Sequence, residues 1–247
     1  MQKKTPQVQM SYTDHIKQEI ALLGADLVGI ADTTPLKALK TDPADLLQHY
    51  TRAIAIALRV PTDIFETIDD QPTPIYATAY QASNRILDEI ALKAANLLQK
   101  QGHRALPVPA AQILDRQNWY GAISHKAVAR MAGLGWQGKN LLLITPDYGS
   151  RVRLVTLLTD APLTVDGPIE NRCGKCRLCV DACPVDAIYN VNTETHYANR
   201  EEALDLKRCA EKVTVEFANL PNIGAPMCGI CIKVCPFGRR VKSTQAA

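Results

Sequence analysis

No stretch of the 247-residue chain runs for about 18 residues on apolar side chains alone, the length a membrane-crossing helix needs. The opening Met-Gln-Lys-Lys-Thr-Pro leads into more polar residues and lacks the apolar core of an export signal. The expected location is therefore the cytoplasm, with no membrane partner. Nothing recurs at the spacing of a helical or β solenoid, and no low-complexity stretch offers a flexible linker. Cysteine is missing from residues 1 to 165, which excludes a disulfide framework or a thiolate metal site there. A composition of 47% hydrophobic and 21% charged residues has room for one large core, or for a main domain with a small appendage.

All eight cysteines lie between Cys173 and Cys235, just after the turn-rich Asp160-Ala-Pro-Leu and Asp166-Gly-Pro segments. This divides the chain into a module of residues 1 to 165 and a cysteine module of residues 166 to 247. In a cytosolic chain, clustered cysteines bind metal or do redox chemistry more often than they form disulfides. The formal charge of +3 hints at an anionic partner. Metal centres held by cysteine thiolates would add negative charge, however, so basicity argues only weakly for nucleic acid.

The first module mixes helices and strands. Ile16, Ile20 and Leu23 recur at helical spacing after the cap candidate Thr13, and Gly24 supplies a stop before the strand-like Asp26-Leu-Val-Gly-Ile-Ala31. Ala53 to Leu58 reads as a buried strand, and Ile86 to Lys100 as a helix with Leu87, Ile90, Ala94 and Leu97 on one face. A strand over Ala105 to Val108, a loop over Gln112 to Gly121 and a short helix over His125 to Ala132 follow, then strands at Leu141 to Ile144 and Val152 to Leu158. Asp42-Pro43-Ala-Asp45 reads as a helix start, Arg239-Arg240 as a solvated tail, and Trp136 as an anchor that packs its loop.

The chemistry is most legible in Cys173-Gly-Lys-Cys176-Arg-Leu-Cys179-Val-Asp-Ala-Cys183-Pro184, which reproduces the bacterial C-x₂-C-x₂-C-x₃-C-P run of a [4Fe-4S] protein. The first three thiolates can wrap one face of a cubane, while the fourth, held by the proline, points to a second cluster. Cys228-Gly-Ile-Cys231-Ile-Lys-Val-Cys235-Pro236 has the same ending with two leading cysteines, and Cys209 supplies the missing ligand. The crossed pattern gives Cys173, Cys176, Cys179 and Cys235 to one cluster, and Cys183, Cys209, Cys228 and Cys231 to the other. A zinc ribbon also uses C-x₂-C pairs, but it requires neither a C-x₃-C-P ending twice nor four cysteines in so short a run.

Such a pair of clusters forms a wire, so the first module must hold what is reduced. Its loop Gly133-Leu-Gly135-Trp-Gln-Gly138-Lys139-Asn140 matches G-x-G-x-x-G and falls one residue short of a P-loop. Both matches run in the wrong order, because a helix enters this loop and a strand leaves it, whereas phosphate sites need a following helix N-terminus. A helix cap with a tight turn and a bare backbone approached by a large cofactor are the two remaining readings.

Ala132 to Asn140, Tyr148-Gly-Ser-Arg-Val-Arg-Leu154, Leu158-Thr-Asp160, the first cysteine run, Cys209 leading into Val213-Thr-Val-Glu216, and the final Cys228 to Pro236 together resemble the epoxyqueuosine reductase family. Residues 119 to 237 carry most of the likeness, with a diffuse extension that includes Gly24 to Ile30. The resemblance implies an α+β, nitroreductase-like domain holding cobalamin, followed by a two-cluster ferredoxin-like module that feeds electrons to cobalt, as in the related reductive dehalogenases. It also implies cofactor-binding roles for Gly135, Lys139, Asn140, Gly149 and Ser150.

The chain departs from that family in two places. Where the family has a protonating Asp in an Asp-Thr-Gly-Pro run, this chain reads Asn118-Trp119-Tyr120-Gly121-Ala122. It also ends eleven residues after Pro236, where tRNA-acting members continue into a helical-repeat tail. Nucleic acid is therefore not the expected partner. Tyr120 is the candidate replacement donor, with His125, Lys126 and Asp115 close in sequence. The expected function is an iron-sulfur reductase in which an external ferredoxin- or flavodoxin-type donor supplies two [4Fe-4S] clusters, and these a corrinoid that reduces a small molecule. A corrinoid-free electron carrier and a true epoxyqueuosine reductase with an altered donor are the alternatives.

Overall fold

The computed structural model describes residues 10 to 239 apart from His196 and Ala198, so Arg240 of the expected tail lies outside the described residues, and Arg239 is exposed. Helix α1 (Tyr12–Leu22) begins at Ser11 rather than at the expected Thr13, because the Ser11 hydroxyl accepts the Asp14 N–H at 3.1 Å. Thr13 lies inside the helix and accepts the Thr164 N–H instead. Ile16 and Ile20 are wholly buried, and Gly24, at φ 110°, turns the chain into β1 (Leu27–Asp32).

Strand β2 (Arg52–Arg59) follows a segment of turns that the sequence reads as a helix start. There the Asp42 N–H donates to the Ala122 carbonyl at 3.0 Å, which commits the backbone to the neighbouring loop instead of a helix. A short α2 (Thr62–Glu66) leads to α3 (Pro74–Lys100), which starts well before the expected Ile86. Thr73 caps it by accepting the Tyr76 N–H, and Pro74 sits at its first turn.

The chain continues through β3 (Ala105–Val108), α4 (His125–Met131), the hairpin strands β4 (Trp136–Gln137) and β5 (Leu143–Ile144), and β6 (Val152–Thr159). The expected strand at Leu141 is cut back because Leu141 takes φ 61° in the hairpin turn, and a strand within the Gly-rich loop, β4, was not foreseen. The fold is thus α+β. Its main sheet has the order β1-β2-β6-β3 with antiparallel pairs throughout, and Ala55 lies between Gly29 and Thr156.

Helices cover both faces of that sheet, which explains the unbroken apolar run of β2. Ile54, Ile56, Val155 and Leu157 pack against Ile16 and Ile20 of α1 and Leu87, Ile90 and Leu98 of α3. Ala53, Ala55 and Ala57 point the other way, and their small side chains admit Ala127, Val128 and Ala132 at α4.

The cysteine-bearing part contains the short α-helices α5 (Leu178–Asp181), α6 (Leu206–Glu211) and α7 (Ile230–Lys233), with a π-helical turn at Lys212–Glu216 and 3₁₀ turns at Arg200–Glu202 and Phe217–Asn219. It packs back on the first part through Ile223, Met227 and Ile230, which meet Val60, Phe65, Ile68 and Tyr76 of the α2–α3 region. A second contact joins Cys173, Cys235 and Phe237 to Trp136 and Ile144 of the hairpin. The thiols therefore lie between the sheet domain and the short helices.

Candidate iron-sulfur centres

All eight cysteines are free thiols, and seven are partly buried while Cys235 is 8% exposed. Burial pushes the Cys179 and Cys228 thiols up to about 11 and Cys231 well above the usual range. Neighbouring thiols add to this in two separate sets. Cys179 is raised further by Cys173, Cys235 and Cys176, and Cys235 by Cys173 and Cys176. Cys228 is raised by Cys209 and Cys183, Cys231 by Cys228 and Cys209, and Cys209 by Cys183.

We propose the crossed pairing as the ligand assignment, and the thiols that neighbour Cys235 and Cys209 are those it requires. Thiolates gathered this closely need a compensating cation, and iron supplies that charge. Among the described residues no three metal-binding side chains converge on a point fit for a single ion. A cubane does not require such convergence, because its irons and sulfides hold the four ligands apart. Cys231 also feels Cys179, so the sets are adjacent.

The first set lines a pocket with Lys139, Asn140, Ile144, Pro236 and Phe237. Here the Gly-rich loop finds its place. Gly133 takes φ 73° and ends α4 as a cap, as its position after the helix predicts. Gly135 packs so closely on the hairpin that a Cβ would lie 2.2 Å from the Ile144 carbonyl oxygen. Lys139 is 4% exposed, and its ammonium donates to the carbonyls of Gly174 and Cys176, each at 2.9 Å, and to Asn190 Oδ1 at 2.8 Å. Asn140 accepts the Leu142 N–H at 3.2 Å and lines the pocket of the first set.

Two further residues support the first set. Trp136, 1% exposed, donates its indole N–H to Cys173 Sγ at 3.3 Å and meets the Phe237 ring edge-on at 4.8 Å. Arg151, also 1% exposed, donates to the carbonyls of Lys233, Cys235 and Phe237 at 2.8, 3.3 and 2.6 Å. Gly149, at φ 57°, lets this same turn approach, since a Cβ there would lie 2.1 Å from the Phe237 oxygen. Ser150 is 4% exposed, and its hydroxyl has no hydrogen-bond partner among the described residues.

The second set faces the sheet domain. Tyr76 of α3 feels the Cys231 and Cys228 charges, and its hydroxyl lies above the ordinary range because it is buried. Lys126 of α4 is lowered to about 8 by burial, then by Arg200 and Arg153, with Cys209 and Cys231 acting in the opposite sense.

Around the departure from the family pattern, Trp119 takes φ 53° and Arg200 holds the loop by donating to the Asn118 carbonyl at 2.6 Å. The same guanidinium lies 3.9 Å from the Tyr120 ring centre, and the Lys40 ammonium 4.3 Å from it. His125 bridges the Pro109 carbonyl, 3.0 Å from Nε2, and Thr156 Oγ1, 2.8 Å from Nδ1. A carbonyl only accepts, so Nε2 carries the proton, and burial lowers the ring to about 4. His125 is a neutral structural bridge, not a cation for Tyr120. Asp115 is held at about 2 by hydrogen bonds from the Asn118 side chain and backbone, with Lys40 and the Gln117 N–H helping, so it stays ionised and cannot serve as a proton donor near neutrality. Lys40 and Arg200 are far from Tyr120 in sequence, and no spacing signals either one.

Residues 172 to 238, a span that contains all eight cysteines, match the family model of the 4Fe-4S double cluster binding domain. The wider chain is similar to an epoxyqueuosine reductase of Vibrio cholerae, at 30% identity over 84% of this chain and 55% of that protein. An epoxyqueuosine reductase of Aliivibrio fischeri is 34% identical over 65% of this chain and 40% of its own length. The chain thus spans about half the length of these curated relatives. Among solved structures, an epoxyqueuosine reductase bound to an epoxyqueuosine-modified tRNA stem loop aligns with a TM-score of 0.61 and 25% identity, over 91% of this chain and 64% of that one. A reductive dehalogenase described as B12-dependent shares the fold with a TM-score of 0.73 at 22% identity, over 92% of this chain and 32% of that one. The tRNA complex runs against the expectation that nucleic acid is not a partner. No helix among the described residues is long and apolar enough to cross a membrane.

Proposed function

We propose, from a chain that resembles the epoxyqueuosine reductases and carries a double-cluster domain, that this protein is a corrinoid-dependent iron-sulfur reductase with a nitroreductase-like cofactor domain, working in the cytoplasm. The observation that carries this reading is the placement of the second thiolate set against Lys126 and Tyr76 of the sheet domain, which gives electrons an exit toward that domain. The B12-dependent dehalogenase of the same fold supports a corrinoid there.

The residues present fit such a group in part. Among the described residues Ser150 Oγ, Arg151 Nε and Arg200 Nε are buried polar atoms without a hydrogen-bond partner, and such atoms invite a ligand rich in amides and phosphate. Ser150, Arg200 and Lys126 are thus the proposed holders. Gly135 and Gly149 press on neighbouring protein backbone, and the polar atoms of Lys139 and Asn140 are engaged around the clusters, so in this reading their contribution is to shape the wall between cluster and cofactor. When bound, a corrinoid supplies a cobalt centre that accepts cluster electrons and passes them to a substrate. Tyr120 is the proposed proton donor. The Arg200 guanidinium and the Lys40 ammonium lie over its ring and fix its orientation.

A small molecule is the first substrate class. A modified base on tRNA is the second, favoured by the relative bound to a tRNA stem loop. The test is gel filtration of anaerobically purified, cluster-loaded protein with cobalamin. Stoichiometric co-elution of corrinoid is expected, and absence of retention in either cobalt oxidation state leaves the corrinoid-free electron carrier. Turnover of epoxyqueuosine-containing tRNA then separates the two substrate classes.

A further inference from the structure

The first cluster's ligand loop also carries a run of exposed cations. Arg172, Lys175 and Arg177 alternate with Cys173 and Cys176, all three are exposed, and Leu178, 44% exposed, adds an apolar contact beside them. Among the described residues Arg172 and Lys175 enter no ion pair, and Arg177 pairs only with Asp181, at 3.1 Å within its own helix. Beside the second cluster the cations are mostly paired, Lys207 with Glu211 and Lys212 with Glu216, and among the described residues only the single Arg208 next to Cys209 is exposed without an ion pair. Arg172 is also linked inward. Its guanidinium lies 5.8 Å from the centre of the Trp136 ring system, and the Trp136 N–H bonds Cys173 Sγ.

We propose that the surface formed by Arg172, Lys175, Arg177 and Leu178 is the docking site of an acidic one-electron carrier protein, and that electrons enter at the first cluster. The proposal rests on the reductase reading only for the destination of the electrons. In each encounter the reduced carrier gives one electron to the oxidised first cluster, the carrier is oxidised by one electron, and no bond or proton is exchanged. The electron then crosses to the second cluster, whose ligand Cys231 neighbours Cys179, and so reaches the side facing Lys126 and Tyr76. Opposite charges steer such encounters and raise their rate, and salt screens the effect.

The test is stopped-flow reduction of the cluster-loaded protein by flavodoxin hydroquinone, read as bleaching of the cluster absorption, with reduced methyl viologen as a small cationic control. The expected result is a second-order rate that falls with ionic strength and drops roughly tenfold or more in Arg172→Glu/Lys175→Glu/Arg177→Glu, while methyl viologen reduces that variant at least as fast as the parent. Lys175→Glu alone, which breaks no ion pair, is expected to show a smaller drop of the same sign. A flavodoxin rate that ignores salt and these substitutions overturns the proposal, as does a loss confined to Lys207→Glu/Arg208→Glu. Bleaching is read without corrinoid, so failure of docking is distinguishable from failure of the reductase reading, which corrinoid retention decides.

Discussion

Trp136 reaches the first ligand set by a single N–H, held in place by burial and by the edge of Phe237. A hydrogen bond to a ligating sulfur stabilises the more negative, reduced cluster and raises its potential. Trp136→Phe keeps an aromatic ring in the pocket and removes the donor. It is expected to lower the potential of the first cluster by roughly 40 mV, about 1 kcal/mol for one electron, with iron content unchanged. Potentiometric titration followed by EPR measures this, and an unshifted midpoint would show that the bond does not tune the cluster. From the sequence, Trp136 reads as an anchor, which is correct for its burial. Its chemical partner is 37 residues away, and no spacing rule connects an indole to a sulfur that folding brings near. Lys139 gives a similar case: G-x-G-x-x-G-K suggests a phosphate or a cofactor, whereas the ammonium holds carbonyls of the ligand loop.

At the scale of elements, periodicity located β1, β2, β3, α4 and β6 because each packs an apolar face on a neighbour. It found only the second half of α3. The first half buries Tyr76, Ala77, Ser83 and Asn84, a face too small and polar to register as an apolar stripe. Its polar groups are satisfied nearby: the Arg153 Nε–H of β6 donates to Asn84 Oδ1 at 2.9 Å, and the Ser83 hydroxyl donates to the Ala79 carbonyl at 2.7 Å within the helix. Arg151, immediately before β6, plays a comparable part for the cysteine module by holding the carbonyls of Lys233, Cys235 and Phe237. Arg151→Met keeps the apolar stem but leaves buried carbonyls without donors, and should destabilise the cluster-loaded protein by about 3 kcal/mol. Because Cys235 lies within the gripped segment, the variant should also release iron from the first cluster faster. Denaturant titration checks the stability, and the rate of iron capture by a chelator checks the release. Normal values for both would show that the grip is dispensable.

For the whole molecule, the spacing of the cysteines made the double-cluster module legible, and the matched double-cluster domain covers all eight; the crossed ligand assignment is our proposal. The cysteine spacing was so legible because thiolates must meet a rigid inorganic core, which fixes their order along the chain. The sheet domain's site was less legible because its candidate residues, Tyr120, Lys126, Arg153 and Arg200, come together only through tertiary packing. Crossing makes a prediction that an uncrossed arrangement cannot share. Cys183 belongs by sequence to the first run but by geometry to the set of Cys209 and Cys228. Cys183→Ala and Cys209→Ala should therefore each halve the iron and leave the same surviving cluster, with the same midpoint and EPR signal. Cys235→Ala should instead spare the other cluster, because Cys235 neighbours Cys173 and Cys176. If Cys183→Ala and Cys173→Ala leave the same survivor, the runs are not crossed, and the electron path from the first loop to the sheet domain must be redrawn.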